Sequence, residues 1–334
     1  MTPFMRAVQI SQIGGPEVLE YVECLTPVPD ENEVLIKAHS IGVGMPDVLV
    51  RTGRYPWMPP MPAIIGIEMS GHVVQTGSKV KDMKVGEAVF VSARELAFRG
   101  NCYAEYLCAN ASAVYPLPEG VDLEMAACLS NYQVAWHLLN SAPNGHRFES
   151  ILVWAAAGGV GSAVVELAKL AGKHVIGIAG SKEKCDFVLG LGAVACIDYK
   201  ISNVGEVVAE LTNGRGVDLV LDSVGGKEFH RNFSYLAPLG LVINYGMLQG
   251  WPDTSYAAAM QQRFGDSPGF RFFSMHVFDQ LPERRKAATG ELLSLLAKGK
   301  IRPSISHRMP LAQARLAHEI FDSGSVIGKI LLKP

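Results

Sequence analysis

The apolar run from Ile151 to Ala157 breaks at Gly158-Gly159-Val160-Gly161, then resumes at helical spacing through Val164, Val165, Leu167 and Ala168. This pattern predicts a buried strand, a glycine turn and a helix reaching Ala171. A second apolar run, His174 to Ala179, closes a βαβ unit of roughly the 30 residues that such a unit needs. Further strand-like runs at 194–197, 217–222 and 240–245 alternate with helical segments, which predicts a parallel sheet. A helix near Glu124 to Asn140 leads into this region, the run Phe270 to Met275 ends it, and a helix from Glu283 to Ala297 follows. The first part of the chain, about 125 residues, has another texture: short β-type runs such as Glu33 to Ala38 and Gly71 to Val74, set among glycines and prolines. It predicts an irregular β-domain. The tail from Ile301 reads strand, helix, strand with no Gly-rich linker before it, so it is expected to pack back on the N-terminal domain. A crevice between two such domains is the default place for a ligand.

Composition narrows the class of protein. The chain has 334 residues, more than one typical core and enough for two domains. With 49% hydrophobic and 19% charged residues it belongs with folded rather than disordered proteins. The formal charge of −2 provides no general attraction to nucleic acid or to an anionic membrane, so neither is expected as a partner. The longest apolar run, Ile151 to Val165, is short for a membrane span and is interrupted by three glycines. No N-terminal stretch reads as a secretion signal. Six cysteines, at 24, 102, 108, 128, 185 and 196, form no C-x-x-C pair, which fits reduced thiols and a cytoplasmic location.

Candidate chemistry begins at the glycine turn. Glycines lack Cβ and let the backbone approach a pyrophosphate, and the helix that follows aims free N–H groups and its positive end at the anion. Ala156-x-Gly158-x-x-Gly161 is a variant of G-x-G-x-x-G with alanine at the first position, and alone it fits a tight turn in another α/β protein equally well. The closing strand at His174 to Ala179 favours the dinucleotide. Sites that prefer NAD place an acid at the end of the second strand, where it meets the ribose hydroxyls. Here that position is Gly180, followed by Ser181 and by Lys182 and Lys184, a set that favours a 2′-phosphate and so NADP(H). Ser181 is equally a candidate helix cap and the lysines candidate surface residues, and the two readings are compatible. Tyr199, after the third strand, places an aromatic ring at the same sheet edge.

The order of these segments resembles one family over nearly the whole chain. Arg51-Thr52-Gly53-Arg54-Tyr55-Pro56, Ile65 to Gly71, Lys84 to Val89, Tyr103-Ala104-Glu105-Tyr106, Ala155 to Gly161, Asp218 to Gly225 and Ile327-Gly328-Lys329 all resemble the medium-chain dehydrogenase/reductase superfamily. Within it, the chain is most similar to the zinc-independent quinone oxidoreductases related to zeta-crystallin. The resemblance implies an α/β protein in which residues 127–278 form a Rossmann, doubly wound parallel sheet domain. Residues 1–126 and 279–334 would then form a GroES-like irregular β-barrel domain. It further implies that Gly158, Gly159, Val160 and Gly161 line the pyrophosphate turn. Gly180, Ser181, Lys184 and Tyr199 would form the 2′-phosphate pocket, and Asn131, with Tyr132, would stand near the nicotinamide. Relatives commonly pair through the edge of the Rossmann sheet, which implies a homodimer.

Zinc-dependent relatives carry a cysteine ligand three residues before an aspartate, a histidine in a Gly-His-Glu triplet, and a four-cysteine lobe. This chain has Gly44 before Asp47, Ile67 between Gly66 and Glu68, and one cysteine, Cys102, where the lobe would be, so no metal is expected. It also departs from the zinc-free pattern, since Gly44-Met45-Pro46-Asp47 replaces the usual Asn-x-x-Asp. With no Lewis acid expected, acceptors that already delocalise charge, such as quinones and enones, are the expected substrates. Tyr55 is the candidate proton donor, because relatives that reduce enoyl thioesters resemble this segment; it is also a candidate packing partner of Trp57. Asp47 and Arg51 are expected to form a structural ion pair, and Asp222 to hold a turn. Three functions remain open. One is an NADPH-dependent quinone oxidoreductase, another an enoyl thioester or 2-alkenal reductase, and the third a non-catalytic NADPH-binding protein, crystallin-like or RNA-binding.

Overall fold

The computed structural model describes residues 3–334. The chain up to Ser130 together with Thr289–Pro334 forms one compact unit, and Asn131–Ala288 forms the other. The boundaries expected from the sequence lie earlier, at 126/127 and 278/279.

The second unit is built on six strands, of which the central ones bury nearly all their apolar side chains on both faces, as a sheet covered by helices requires. Ala195–Asp198, His174–Ala179, Ser150–Val153, Val217–Asp222, Leu236–Asn244 and Gly269–Phe272 are neighbours in that order. Every pairing is parallel. In chain order the strands run 3-2-1-4-5-6, the doubly wound arrangement. The order reverses between Ser150–Val153 and Val217–Asp222, and such a reversal opens a crevice beyond the carboxyl ends of those strands. Two sequence expectations need correction. The fifth strand begins at Leu236 rather than 240, because a bulge at Pro238-Leu239-Gly240, with Leu239 at φ +64, shifts the register instead of ending the pairing. The expected helix from Glu124 to Asn140 is two helices, Leu123–Ala126 and Leu129–Asn140. They part where the Ser130 N–H donates to the Glu68 carboxylate at 2.8 Å.

In the first unit, Ile305–Pro310, Lys329–Lys333, Glu33–Val43, Glu68–Thr76, Ala88–Ser92 and Val114–Pro116 lie side by side, and Tyr106–Asn110 also pairs with Glu33–Val43. A second sheet joins Glu20–Leu25, Phe4–Ile10 and Ala63–Ile64. The tail packs on this unit as its sequence predicts, with Ile330 opposite Val43 and Leu332 opposite Ile41. Between the sheets lies an aliphatic core that includes Ile10, Ile36, Ile41, Met69, Val91 and Ile330.

Charges are buried in that core, and each meets an opposing group. Lys329, 3% exposed, donates to the fully buried Glu68. The Asp47 carboxylate accepts the Gly44 N–H at 2.8 Å and stands 3.4 Å from the Tyr103 hydroxyl, which is 3.0 Å from His318 Nε2. The expected Asp47–Arg51 pair does not form. Asp47 turns back to cap the helix Met45–Arg51, and the buried Arg51 reaches Asp322 at 2.6 Å instead.

Burial raises the Asp47 carboxyl from 3.8 to about 7, against the lowering pull of the Gly44 N–H and the Lys329 ammonium. Between those two values the folded chain holds a proton that the unfolded chain has released, so this group makes stability fall as pH rises. Asp47→Asn keeps an oxygen for Gly44 and removes the titration. Its stability relative to the parent chain should therefore improve by about 1 kcal/mol or more between pH 5 and pH 8 in urea melts. A difference that is the same at both pH values would show that Asp47 is ionised throughout.

Candidate functional site

The glycine turn leaves the first strand of the parallel sheet and closes within a few residues. Trp154 N–H donates to Leu221 O at 3.0 Å and Ala156 N–H to Ile178 O at 3.0 Å, so the turn is held by both neighbouring strands. Between them Ala155 adopts φ +52, and the Gly158 N–H returns to its carbonyl at 2.9 Å. A Cβ on Gly161 would lie 2.7 Å from Ala156 Cα and nearer still to the Ala155 carbonyl, backbone that cannot swing aside. Only glycine permits the helix Gly159–Leu170 to start this close to the strand, and no side chain caps its first turn. A Cβ on Gly159 would lie 2.9 Å from Asn131 Cγ, so the Asn131 amide lies against the turn. Gly158, Gly159, Gly161 and Asn131 are thus brought together, with the half-buried Val160 in the same first helical turn. Tyr132 is buried and donates to Glu166 on that helix, which is a packing role.

The end of the second strand gathers another set. A Cβ on Gly180 would meet Tyr199 Oη and Cε1 at 3.0 Å, so the phenol ring occupies the space an acidic side chain would need. Ser181 caps the helix Lys182–Leu191 by accepting the Lys184 N–H at 3.3 Å. Its hydroxyl hydrogen remains a donor, so capping and anion binding are compatible at this residue. Burial, and next the charge of Lys200, lower the Lys184 ammonium below the ordinary lysine value, with Glu183 opposing. Two ammoniums that disfavour one another make a site where a dianion is stabilising.

Beyond these residues the structure shows a polar group that sequence reasoning found only in part. Asp222 accepts the Val224 and Gly225 N–H groups at 2.8 Å, which is the turn role expected of it. It also accepts Asn232 Nδ2 at 2.7 Å, and Asn232 in turn accepts the Trp154 indole N–H at 2.7 Å. Asn244 Nδ2 reaches Asp222 and the Gly246 carbonyl. This network ties the ends of the first, fourth and fifth strands beneath the point where the strand order reverses. The one sequence signal for it was Asp222, an acid at the end of an apolar strand.

In the first unit, Tyr55 is 7% exposed and meets Trp57 edge-on, with ring centroids 5.8 Å apart. It lines a small pocket with Pro46, Ile67, Ala93, Arg94 and Arg99. Gly44 and Ile67, at the positions of metal ligands in zinc-dependent proteins, offer no donor atom. A Cβ on Gly44 would stand 3.5 Å from both Ile67 Cδ1 and Lys329 Nζ. An ammonium paired with Glu68 therefore sits beside those two positions. Sequence reasoning missed this pair, whose members are 261 residues apart.

Comparison with known proteins agrees with both units. The Alcohol dehydrogenase GroES-like domain family matches residues 30–119, and the Zinc-binding dehydrogenase family matches residues 191–332. A quinone oxidoreductase of Pseudomonas aeruginosa is 33% identical over 98% of this chain and 99% of its own. The rat quinone oxidoreductase is 30% identical over 98% of this chain and 97% of its own. The crystal structure of Escherichia coli quinone oxidoreductase complexed with NADPH superposes with a TM-score of 0.88 at 30% identity, covering 98% of this chain and all of that one. At such identity across nearly the full length of both partners, the chain belongs to the quinone oxidoreductase family of the medium-chain dehydrogenase/reductase superfamily.

Proposed function

We propose that the protein is an NADPH-dependent oxidoreductase that transfers hydride to a quinone or a similar electron-poor conjugated acceptor. The observation that carries the cofactor is the Gly180 edge, where a tyrosine ring excludes an acid and the charge of Lys200 disfavours that of Lys184. Gly158, Gly159, Val160 and Gly161 hold the pyrophosphate, the uncapped helix start supplying N–H donors, and Asn131, whose amide lies against Gly159, stands near the nicotinamide. Ser181, Lys184 and Tyr199 hold the 2′-phosphate, through a hydroxyl, a cation and a flanking ring. When bound, the reduced nicotinamide supplies the hydride. The acceptor class follows from the family names and from the absence of donor atoms at Gly44 and Ile67. Tyr55 is the acid that delivers a proton to an enone acceptor; a quinone acceptor depends on it less, since its reduced form holds charge on oxygen in water.

The protein acts as a homodimer in the cytoplasm. Gly269–Phe272 is the last strand in the parallel sheet and pairs on one side, and the nearby Trp251 and Phe272 are 64% and 51% exposed, which supports pairing at this edge. The cysteines at 24, 102, 108, 128, 185 and 196 are all free thiols, in keeping with that compartment. Among the described residues no helix is long and apolar enough to cross a membrane.

Lys184→Ala should weaken NADPH by roughly tenfold or more, the worth of one charge-assisted contact, and leave NADH nearly unchanged. Titration of cofactor fluorescence reads both; equal losses would assign Lys184 to structure alone. Tyr55→Phe should lower kcat for an enone by about a hundredfold while a quinone loses far less. An enone rate that survives the substitution would leave Tyr55 as a packing partner of Trp57.

A further inference from the structure

The first unit also holds a larger cavity, of about 390 Å³, that no role described above uses. Pockets for small molecules run from roughly 300 to 1,000 Å³, so a bicyclic ring system fits there. Met5, Ile64 and Leu107 supply apolar wall, and Cys24, Asn101, Tyr106 and Cys108 also line it. The Asn101 amide, the Tyr106 hydroxyl and the two thiols hydrogen-bond to no other described residue. Asn101 adopts φ +73 and its N–H donates to Ile64 O at 2.9 Å, so its backbone is fixed. Cys24 lies on Glu20–Leu25, the last strand of its sheet, and both thiols are half-buried, so a reagent in water reaches them. Apolar wall with a few polar groups set in it is what a small ligand requires.

Charge decides the class of ligand. Burial, and next the Glu105 carboxylate, raise the Cys24 thiol above its ordinary value. Burial, and next Glu33 and Asp30, push Cys108 up to about 12. Burial works against charge of either sign, but the carboxylates work only against an anion and favour a cation. These acids keep their charge, since Glu105 accepts the Arg6 N–H at 2.7 Å and Glu33 the Asp30 N–H at 3.0 Å, both neutral donors. The Arg6 guanidinium pairs with Glu23 at 3.1 Å, and Lys37, opposite Tyr106, is exposed to solvent that screens it. A phenol ring attracts a cation over its face, and an amide oxygen accepts its N–H.

We propose that this cavity is a binding site for a small aromatic amine, its ring against Met5, Ile64 and Leu107 and its ammonium between Asn101 and Tyr106. The proposal does not rest on the reductase reading. 1-Naphthylmethylamine, 1-naphthalenemethanol and 1-naphthoate share a ring system and differ in charge, and calorimetry with each reads the selection. The parent chain should bind the amine about tenfold or more tightly than the alcohol, and the acid least. Glu105→Gln should weaken the amine about threefold and leave the alcohol unchanged. Cys108→Phe, which fills the cavity, should abolish binding of both. Bound amine should also slow labelling of Cys24 and Cys108 by N-ethylmaleimide, read by mass spectrometry on the parent chain, so the location is tested without any variant. Affinity that ignores charge, amine binding that survives in Cys108→Phe, or bound amine with both thiols labelled at the free rate would each overturn the proposal.

Discussion

The approach of the helix Gly159–Leu170 to the end of the strand Ser150–Val153 is the constraint on which the second unit depends. The space at Gly161 is closed by the backbone of Ala155 and Ala156, and backbone does not move aside as a side chain does. This one contact places the helix start, and the Ala155 conformation and the bonds to both neighbouring strands follow from the same tight closure. What it yields is an uncapped row of N–H groups at a sheet reversal, with the Asp222, Asn232 and Asn244 network bracing the strand ends. The anion site we propose there would be a by-product of close packing as much as of charge.

The first unit meets a different problem with a different device. A zinc-dependent protein has a divalent cation to organise the segment around Gly44 and Ile67. Here a buried ammonium, Lys329, lies beside that segment, and its partner Glu68 also holds the Ser130 N–H. A monovalent cation with a matched carboxylate satisfies the local charge but leaves no open coordination position for a substrate oxygen. Acceptors that stabilise incoming charge by their own conjugation suit such a site.

The sheet strands, the glycine turn and the tail were legible because each depends on neighbours in sequence: apolar runs, glycine spacing and period. The Ser181 helix cap was legible for the same reason, since it follows from position at a strand end. Elements that depend on distant partners were not. The helix expected from Glu124 to Asn140 breaks because Glu68 captures the Ser130 N–H, and no local pattern announces that. Arg51 and Asp47 sit at the spacing of an ion pair, yet capping at Gly44 and the distant Asp322 claim them separately. Glu68 and Lys329 are 261 residues apart, and no local pattern pairs them. Arg94 and Arg99 lie on an irregular connection whose course is set by contacts with Ile64, so their convergence on Tyr55 had no sequence signature.

The most direct test is NADPH oxidation by the purified protein, followed against a panel of quinones, enones, enals, enoyl thioesters and simple unconjugated aldehydes. Turnover with conjugated acceptors, quinones foremost, and none with unconjugated aldehydes is the expected result. Tight NADPH binding with no turnover on any conjugated acceptor would contradict the assignment and leave a nucleotide-binding protein without this chemistry.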